Sequence, residues 1–236
     1  MTVSLWSGPR NCSTALMYSF AQRSDFEVVD EPLFAHFLAH SGADRPSRAE
    51  VLATMPTERE KILPAMQRYE KHIFVKHMAN HLEGWPEPLD FAAHKHVLLI
   101  RHPRKVLKSY QAHIETPTAL DLCYQHQQCW LERCEIEGWP VAVVDSDRLV
   151  AQPELSLKAI TNWLGVAFDP CMLNWPAGQR EEDGPWAKYW YQRVHASKGW
   201  ETAPETDTLP SVQKRFLPLV TDMETVYESL RVRALN

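Results

Sequence analysis

The fold class this sequence predicts is a three-layer α/β/α domain with a mostly parallel central sheet, and three stretches predict it. Val3 to Phe20 runs from an apolar strand through Gly8-Pro9-Arg10-Asn11-Cys12 into an apolar-periodic helix carrying Leu16, Met17 and Phe20. Val97 to Ile100 is an unbroken aliphatic run leading into Arg101-His102-Pro103 and a helix, the pattern of a strand buried on both faces. Val141 to Val144 repeats it, with a helix from Pro153 to Leu164 stopped by Gly165. Strands alternating with helices in this way need right-handed crossovers and a parallel sheet.

The first unit is a strand, a loop and a helix start. Ser13 or Thr14 stands where the helix begins, so unpaired backbone N–H groups and the positive end of the helix dipole converge on one point, as an oxyanion requires. Arg10 and the two hydroxyls add donors. The alternative is an ordinary turn in which those hydroxyls cap the helix. A triphosphate loop would need Gly-Lys where this chain has Ser13-Thr14, which disfavours a conventional ATP or GTP enzyme.

Glu27 to Val29 reads as a second strand ending at Asp30-Glu31, with a helix from Pro32 to His40. Carboxylates at a strand's carboxyl end lie where open α/β sheets hold ligands, although Asp30 in that position can also cap the helix. His36 and His40, four apart, read as a solvated helix face in the absence of a third ligand at recognisable spacing. Residues 44 to 71 read as surface helices and turns. Ile73 to Val75 is a buried strand with Lys76 and His77 at its end. Thr118 to Glu137 reads as one amphipathic helix, and Ser211 to Ala234 as a helix pair. Between them Trp175, Trp186, Tyr189, Trp190, Tyr191 and Trp200 crowd into a stretch poor in aliphatics, either to pack a lid or to stack on a ring.

A length of 236 residues without a Gly/Ser-rich or Pro-rich linker predicts one domain spanning 1–236. A net charge of −5 gives no global basic excess for nucleic acid, and no apolar run reaches membrane-span length. With no charged-then-apolar leader, the expected location is cytoplasmic. Five cysteines form no CxxC pair, which predicts reduced thiols and no zinc site.

Taken together, SGPRNCSTALM, LLIRHPRKVLKSY and VAVVDSDRLVAQPELSLKAITNWLGVAFD resemble the P-loop-like sulfotransferases that use 3'-phosphoadenosine 5'-phosphosulfate as donor. The Glu-Pro-Leu at Glu31 to Leu33 looks like that of the bacterial and carbohydrate-type branch. The resemblance implies a 5'-phosphosulfate loop at Pro9, Arg10, Asn11, Cys12, Ser13 and Thr14, and a 3'-phosphate site at Arg101 and Ser109, eight residues apart. It also implies a closing loop near Ser197, Lys198 and Gly199, an approximate substitute for the family's Arg-Lys-Gly. The aromatics that sandwich adenine in the cytosolic branch are absent, their places being Ala15 and about Ser146.

Sulfuryl transfer of the kind this resemblance implies needs positioning and charge neutralisation more than covalent help. The expected machinery is Arg10 and Lys76 on the phosphosulfate with Glu31 as general base, and His77 as the alternative base. The acceptor this resemblance implies is a hydroxyl or amine of a small molecule or carbohydrate, and no metal is expected. Two other readings stand beside it: a small-molecule kinase, and a nucleotide-binding or interaction module without catalysis.

Overall fold

The computed structural model describes residues 1–67, 70–201 and 208–235. Five strands, β1 (Thr2–Ser7), β2 (Phe26–Asp30), β3 (His72–Met78), β4 (Lys95–Ile100) and β5 (Val141–Asp145), form one sheet in the order β2-β3-β1-β4-β5. Every pairing is parallel. The first strand thus lies at the centre with chain crossing to either side of it, which opens a crevice at its carboxyl end.

Side chains alternate between two packed faces. Trp6, Ile73, Val75, Leu98, Ile100 and Val143 meet the helices at Pro103–Tyr110, Tyr124–Glu137 and Leu217–Arg231. Val3, Leu5, Phe74, Val97, Leu99 and Val144 meet α1 (Ser13–Ala21) and the helix at Pro153–Leu164. Gly165 ends the latter helix at φ 76°, the left-handed cap expected there. The predicted three layers are present.

Three elements differ from the sequence reading. The β3 strand continues past Val75 to Met78, so Lys76 and His77 are strand residues pointing to opposite faces. The stretch from Thr118 to Glu137 is two helices, Ala119–Leu122 and Tyr124–Glu137, because Cys123 turns into the left-handed region at φ 69°. Beyond Ser211 there is a short 3₁₀ turn, Lys214–Phe216, and a single helix, Leu217–Arg231, in place of a helix pair. Among the described residues no helix is long and apolar enough to cross a membrane.

Candidate active site

The loop after β1 is held from below. Asn11 Nδ2 donates to Leu99 O at 2.9 Å, and Ser146 Oγ donates to Asn11 O at 2.8 Å. Gln127 Nε2 bridges Trp6 O and Leu99 O at 3.0 and 2.9 Å, clamping the ends of β1 and β4 together. A Cβ at Gly8 would stand 3.1 Å from Leu122 O, so the chain passes close under the neighbouring helix there. Arg10 and Cys12 both adopt positive φ, 62° and 61°, which curls the backbone into the kind of concave turn whose N–H groups can converge on an anion. The α1 helix starts at Ser13 without a side-chain cap, so the capping alternative for Ser13 and Thr14 is not realised.

A cavity of about 450 Å³ lies over this crevice. Of the sequence-predicted site residues, it brings together Pro9 to Thr14, Glu31, Lys76, Arg101, Ser109, Ser197 and Gly199. Arg10 Nε donates to Ser109 Oγ at 2.9 Å and its Nη1 to Trp190 O at 3.3 Å. Arg101 Nη1 donates to Arg10 O at 2.8 Å, and its Nε to Asp147 Oδ1 at 3.1 Å. The two anion subsites read from the sequence therefore interlock. Burial of the Arg10 guanidinium, with Arg101 and Arg193 nearby, lowers its pKa from the ordinary value.

Across the cavity sits a buried charge cluster. Lys76 Nζ donates to Asp30 Oδ1 at 2.8 Å, to Tyr191 Oη at 2.6 Å and to Glu31 Oε1. Tyr191 in turn donates to Asp30 Oδ2 at 2.7 Å and accepts from Trp186 Nε1 at 2.8 Å. Glu31 occupies positive φ, 44°, a strained position for a non-glycine residue, fixed by its N–H donating to Lys76 O at 2.8 Å. Burial pushes the Glu31 carboxyl up to about 7, with Asp30 adding to the rise and Lys76 opposing it. Burial would lower the Lys76 ammonium, but Asp30 and Glu31 outweigh it and hold its pKa above the ordinary value. Asp30 is thus a partner of Lys76 and Tyr191, not the cap of α2 (Phe34–Ser41), whose N-terminus carries no side-chain cap.

His77 is not brought to the cavity. It is fully buried on the other face of β3, stacked on Trp6 with ring centroids 4.2 Å apart, and neither ring nitrogen has a hydrogen-bond partner among the described residues. Burial lowers its pKa well below the ordinary histidine value. Lys198 likewise stays outside, exposed, while Ser197 Oγ is committed to Val194 O at 2.7 Å. His36 and His40 stack at 6.2 Å, and no group of three or more metal-ligating side chains occurs among the described residues.

Several wall residues carry no mark in the sequence reading, His81, Arg45 and Asp121 among them. His81, on the turn after β3, packs against the rings of Phe34 and Phe37 at 4.7 and 5.0 Å, with Nδ1 3.9 Å from Glu31 Oε2. Arg45 pairs with Asp121 in a stretch that offers no motif. Tyr191 was visible only as one of the crowded aromatics. Of those, Trp175, Trp186, Trp190, Tyr191 and Trp200 all line the cavity, and Tyr189 does not.

The sulfotransferase domain family matches residues 1–234, and the chain belongs to that family. Two Arabidopsis thaliana proteins, branched-chain-amino-acid aminotransferase-like proteins 1 and 2, are 40% and 39% identical over 224 and 205 residues. They align with 91% and 84% of this chain, which spans only 40% and 36% of their length. Among solved structures, the sulfotransferase domain of the Synechococcus PCC 7002 olefin synthase superposes with a TM-score of 0.65 at 19% identity, covering 98% of this chain and 94% of that one. A sulfotransferase from Alicyclobacillus acidocaldarius superposes with a TM-score of 0.54 at 12% identity, covering 98% and 96%. Membership of that family supports sulfuryl transfer.

Proposed function

We propose that this chain transfers a sulfuryl group from 3'-phosphoadenosine 5'-phosphosulfate to an acceptor hydroxyl. The observation that carries the reading is the interlock of Arg10 with Ser109 and Arg101 on one wall of a cavity whose opposite wall presents Glu31. The donor set suits a nucleotide with two separated anionic groups. Loop N–H groups, Arg10, Ser13 and Thr14 serve one, and Arg101 with Ser109 the other. Trp175 and Trp200, edge to face at 5.6 Å, offer the cavity an aromatic surface that the sequence lacks at the usual adenine positions.

In this reading Glu31 Oε2 takes the acceptor's proton as the new O–S bond forms, and the electron pair of the bridging S–O bond leaves with the 5'-phosphate. Arg10 and the loop amides neutralise the charge that gathers there. Lys76 has a different part from the one its sequence position suggests. Its three protons are directed at Asp30, Glu31 and Tyr191, so it holds the base in place.

The test is thermal unfolding with nucleotides. 3'-Phosphoadenosine 5'-phosphate should raise Tm more than ATP at equal concentration, since a ligand bound only by the native state stabilises it by mass action. Equal shifts favour a kinase, and no shift from either favours a module without catalysis.

A further inference from the structure

The sheet order divides the cavity. Strand β4, on one side of β1, brings Arg101 and, through the helix that follows, Ser109. Strands β3 and β2, on the other side, bring Met78, His81, Glu31 and, through α2, Phe34 and Phe37. If the nucleotide occupies the β1 and β4 half, the acceptor must enter against the β3 and β2 half.

That half is closed by rings and a thioether. Phe34 meets Trp186 edge to face at 5.1 Å and stacks on Phe37 at 6.5 Å. Its charged groups are already matched to one another. Arg45 is paired with Asp121, whose other oxygen accepts from Thr118 N and Oγ1, each at 2.8 Å. Lys76 is saturated by Asp30, Glu31 and Tyr191. Among the described residues, two buried side-chain atoms there lack a hydrogen-bond partner: His81 Nδ1, on a residue 3% exposed, and Asn80 Oδ1, on one 6% exposed. His81 Nδ1 and Glu31 Oε2, 3.9 Å apart, are too far to bond each other, yet one oxygen can lie within hydrogen-bond reach of both.

We propose that the acceptor is a mostly apolar, ring-bearing alcohol or phenol whose single hydroxyl seats between Glu31 Oε2 and His81 Nδ1. The oxygen donates its proton to Glu31 and accepts from the His81 N–H, while its ring packs among Phe34, Phe37, Met78 and Trp186. A sugar fits poorly. Its several hydroxyls would enter a space where nearly every polar group is taken, and each unpaired hydroxyl so buried is penalised, as is each wall ring denied an apolar partner.

This assignment rests on the donor reading above, and the experiment separates the two. The protein is first titrated with 3'-phosphoadenosine 5'-phosphate, and the saturated complex is then titrated calorimetrically with 2-naphthol and, separately, with N-acetylglucosamine. 2-Naphthol should bind at least about tenfold more tightly than the sugar, and Met78→Gln, a change at a partly buried position of the wall, should weaken it about fivefold while nucleotide affinity holds. Failure of the nucleotide to bind overturns the donor reading and this assignment with it. Normal nucleotide binding with the sugar bound as well as 2-naphthol, or with 2-naphthol unaffected by Met78→Gln, overturns this assignment alone.

Discussion

Arg10 Nε and Ser109 Oγ, 99 residues apart in sequence, meet at 2.9 Å, and Arg101 closes the same unit by donating to the Arg10 carbonyl at 2.8 Å. An arginine that reads as a phosphosulfate ligand is therefore oriented by a serine that reads as a 3'-phosphate ligand.

This coupling changes what Arg101→Ala should do. The substitution should weaken 3'-phosphoadenosine 5'-phosphate by about 1.5–3 kcal/mol, the range for a hydrogen bond to a charged group. Adenosine 5'-phosphosulfate, which lacks the 3'-phosphate, should lose less, about 0.5–1.5 kcal/mol, through the freed Arg10 carbonyl alone. Isothermal titration of both nucleotides measures the difference. Equal losses would make Arg101 a purely structural residue.

Glu31→Gln keeps shape and polarity but removes the basic carboxylate. Nucleotide affinity should persist while turnover with an identified acceptor falls at least about a hundredfold. Because burial raises the Glu31 carboxyl to about 7, wild-type turnover should climb with pH and level off above that value as the carboxylate forms. A flat profile from pH 5.5 to 8.5 would remove Glu31 from the role of base.

His77 gives the opposite test. Its unpartnered ring nitrogens are buried against Trp6, so a phenyl ring of similar size loses no hydrogen bond and sheds a desolvation penalty. His77→Phe should leave turnover near wild type and shift stability by no more than about 1 kcal/mol in either direction in urea unfolding. Loss of turnover in a folded, nucleotide-binding variant would restore His77 as a candidate base.

The contrast between these neighbours shows how far the sequence could be read. The strands at Val97 and Val141 and the β1-loop-α1 junction announce themselves because parallel strands buried on both faces are continuous aliphatic runs. Lys76 and His77 break that pattern, and ending the strand at Val75 hid the alternation that turns one toward the cavity and the other into the core. The break at Cys123 was equally hidden, since a left-handed turn at a non-glycine residue has no sequence mark. Arg10, Arg101 and Ser109 stand out because each follows a legible strand. Tyr191 and His81 reach the site only through tertiary packing, from segments whose local pattern carries no such signal.

Acid should destabilise the protein steeply. His77 and His81 are held well below the usual histidine pKa by burial, while His94 and His96 are lowered by the same cause to about 4 and about 3. For a base with a depressed folded pKa, stability is fully present above the unfolded value near 6.5 and declines as pH falls toward the folded value. Each such group contributes a slope of about 1.4 kcal/mol per pH unit within its window. Glu31 acts oppositely, because a raised carboxyl pKa favours the folded state at low pH and loses that effect between about 4.5 and 7. Four imidazoles outnumber one carboxyl, so unfolding near pH 5.5 should take up two to three protons. Urea midpoints measured from pH 7.5 to 5 should fall continuously, and a constant midpoint would contradict the buried neutral histidines.

Lys76 is the sharpest test of how the site is built. If it gripped the donor, its removal would chiefly cost nucleotide affinity. Its three protons instead point at Asp30, Glu31 and Tyr191, and its side chain and that of Asp30 are 1% and 0% exposed. Lys76→Met should therefore strand two buried carboxylates and destabilise the fold by about 3–5 kcal/mol, the usual loss when one partner of a buried ion pair is removed. The missing cation should also raise the Glu31 pKa further, moving the alkaline rise of turnover to higher pH, since Lys76 is the group that now opposes the rise. Double replacement, Lys76→Met with Asp30→Asn, should recover part of the stability by removing one of the two uncompensated carboxylates. Nucleotide affinity should fall far less in either variant than in Arg10→Ala. Intact stability together with a large loss of nucleotide affinity in Lys76→Met would return the lysine to the donor.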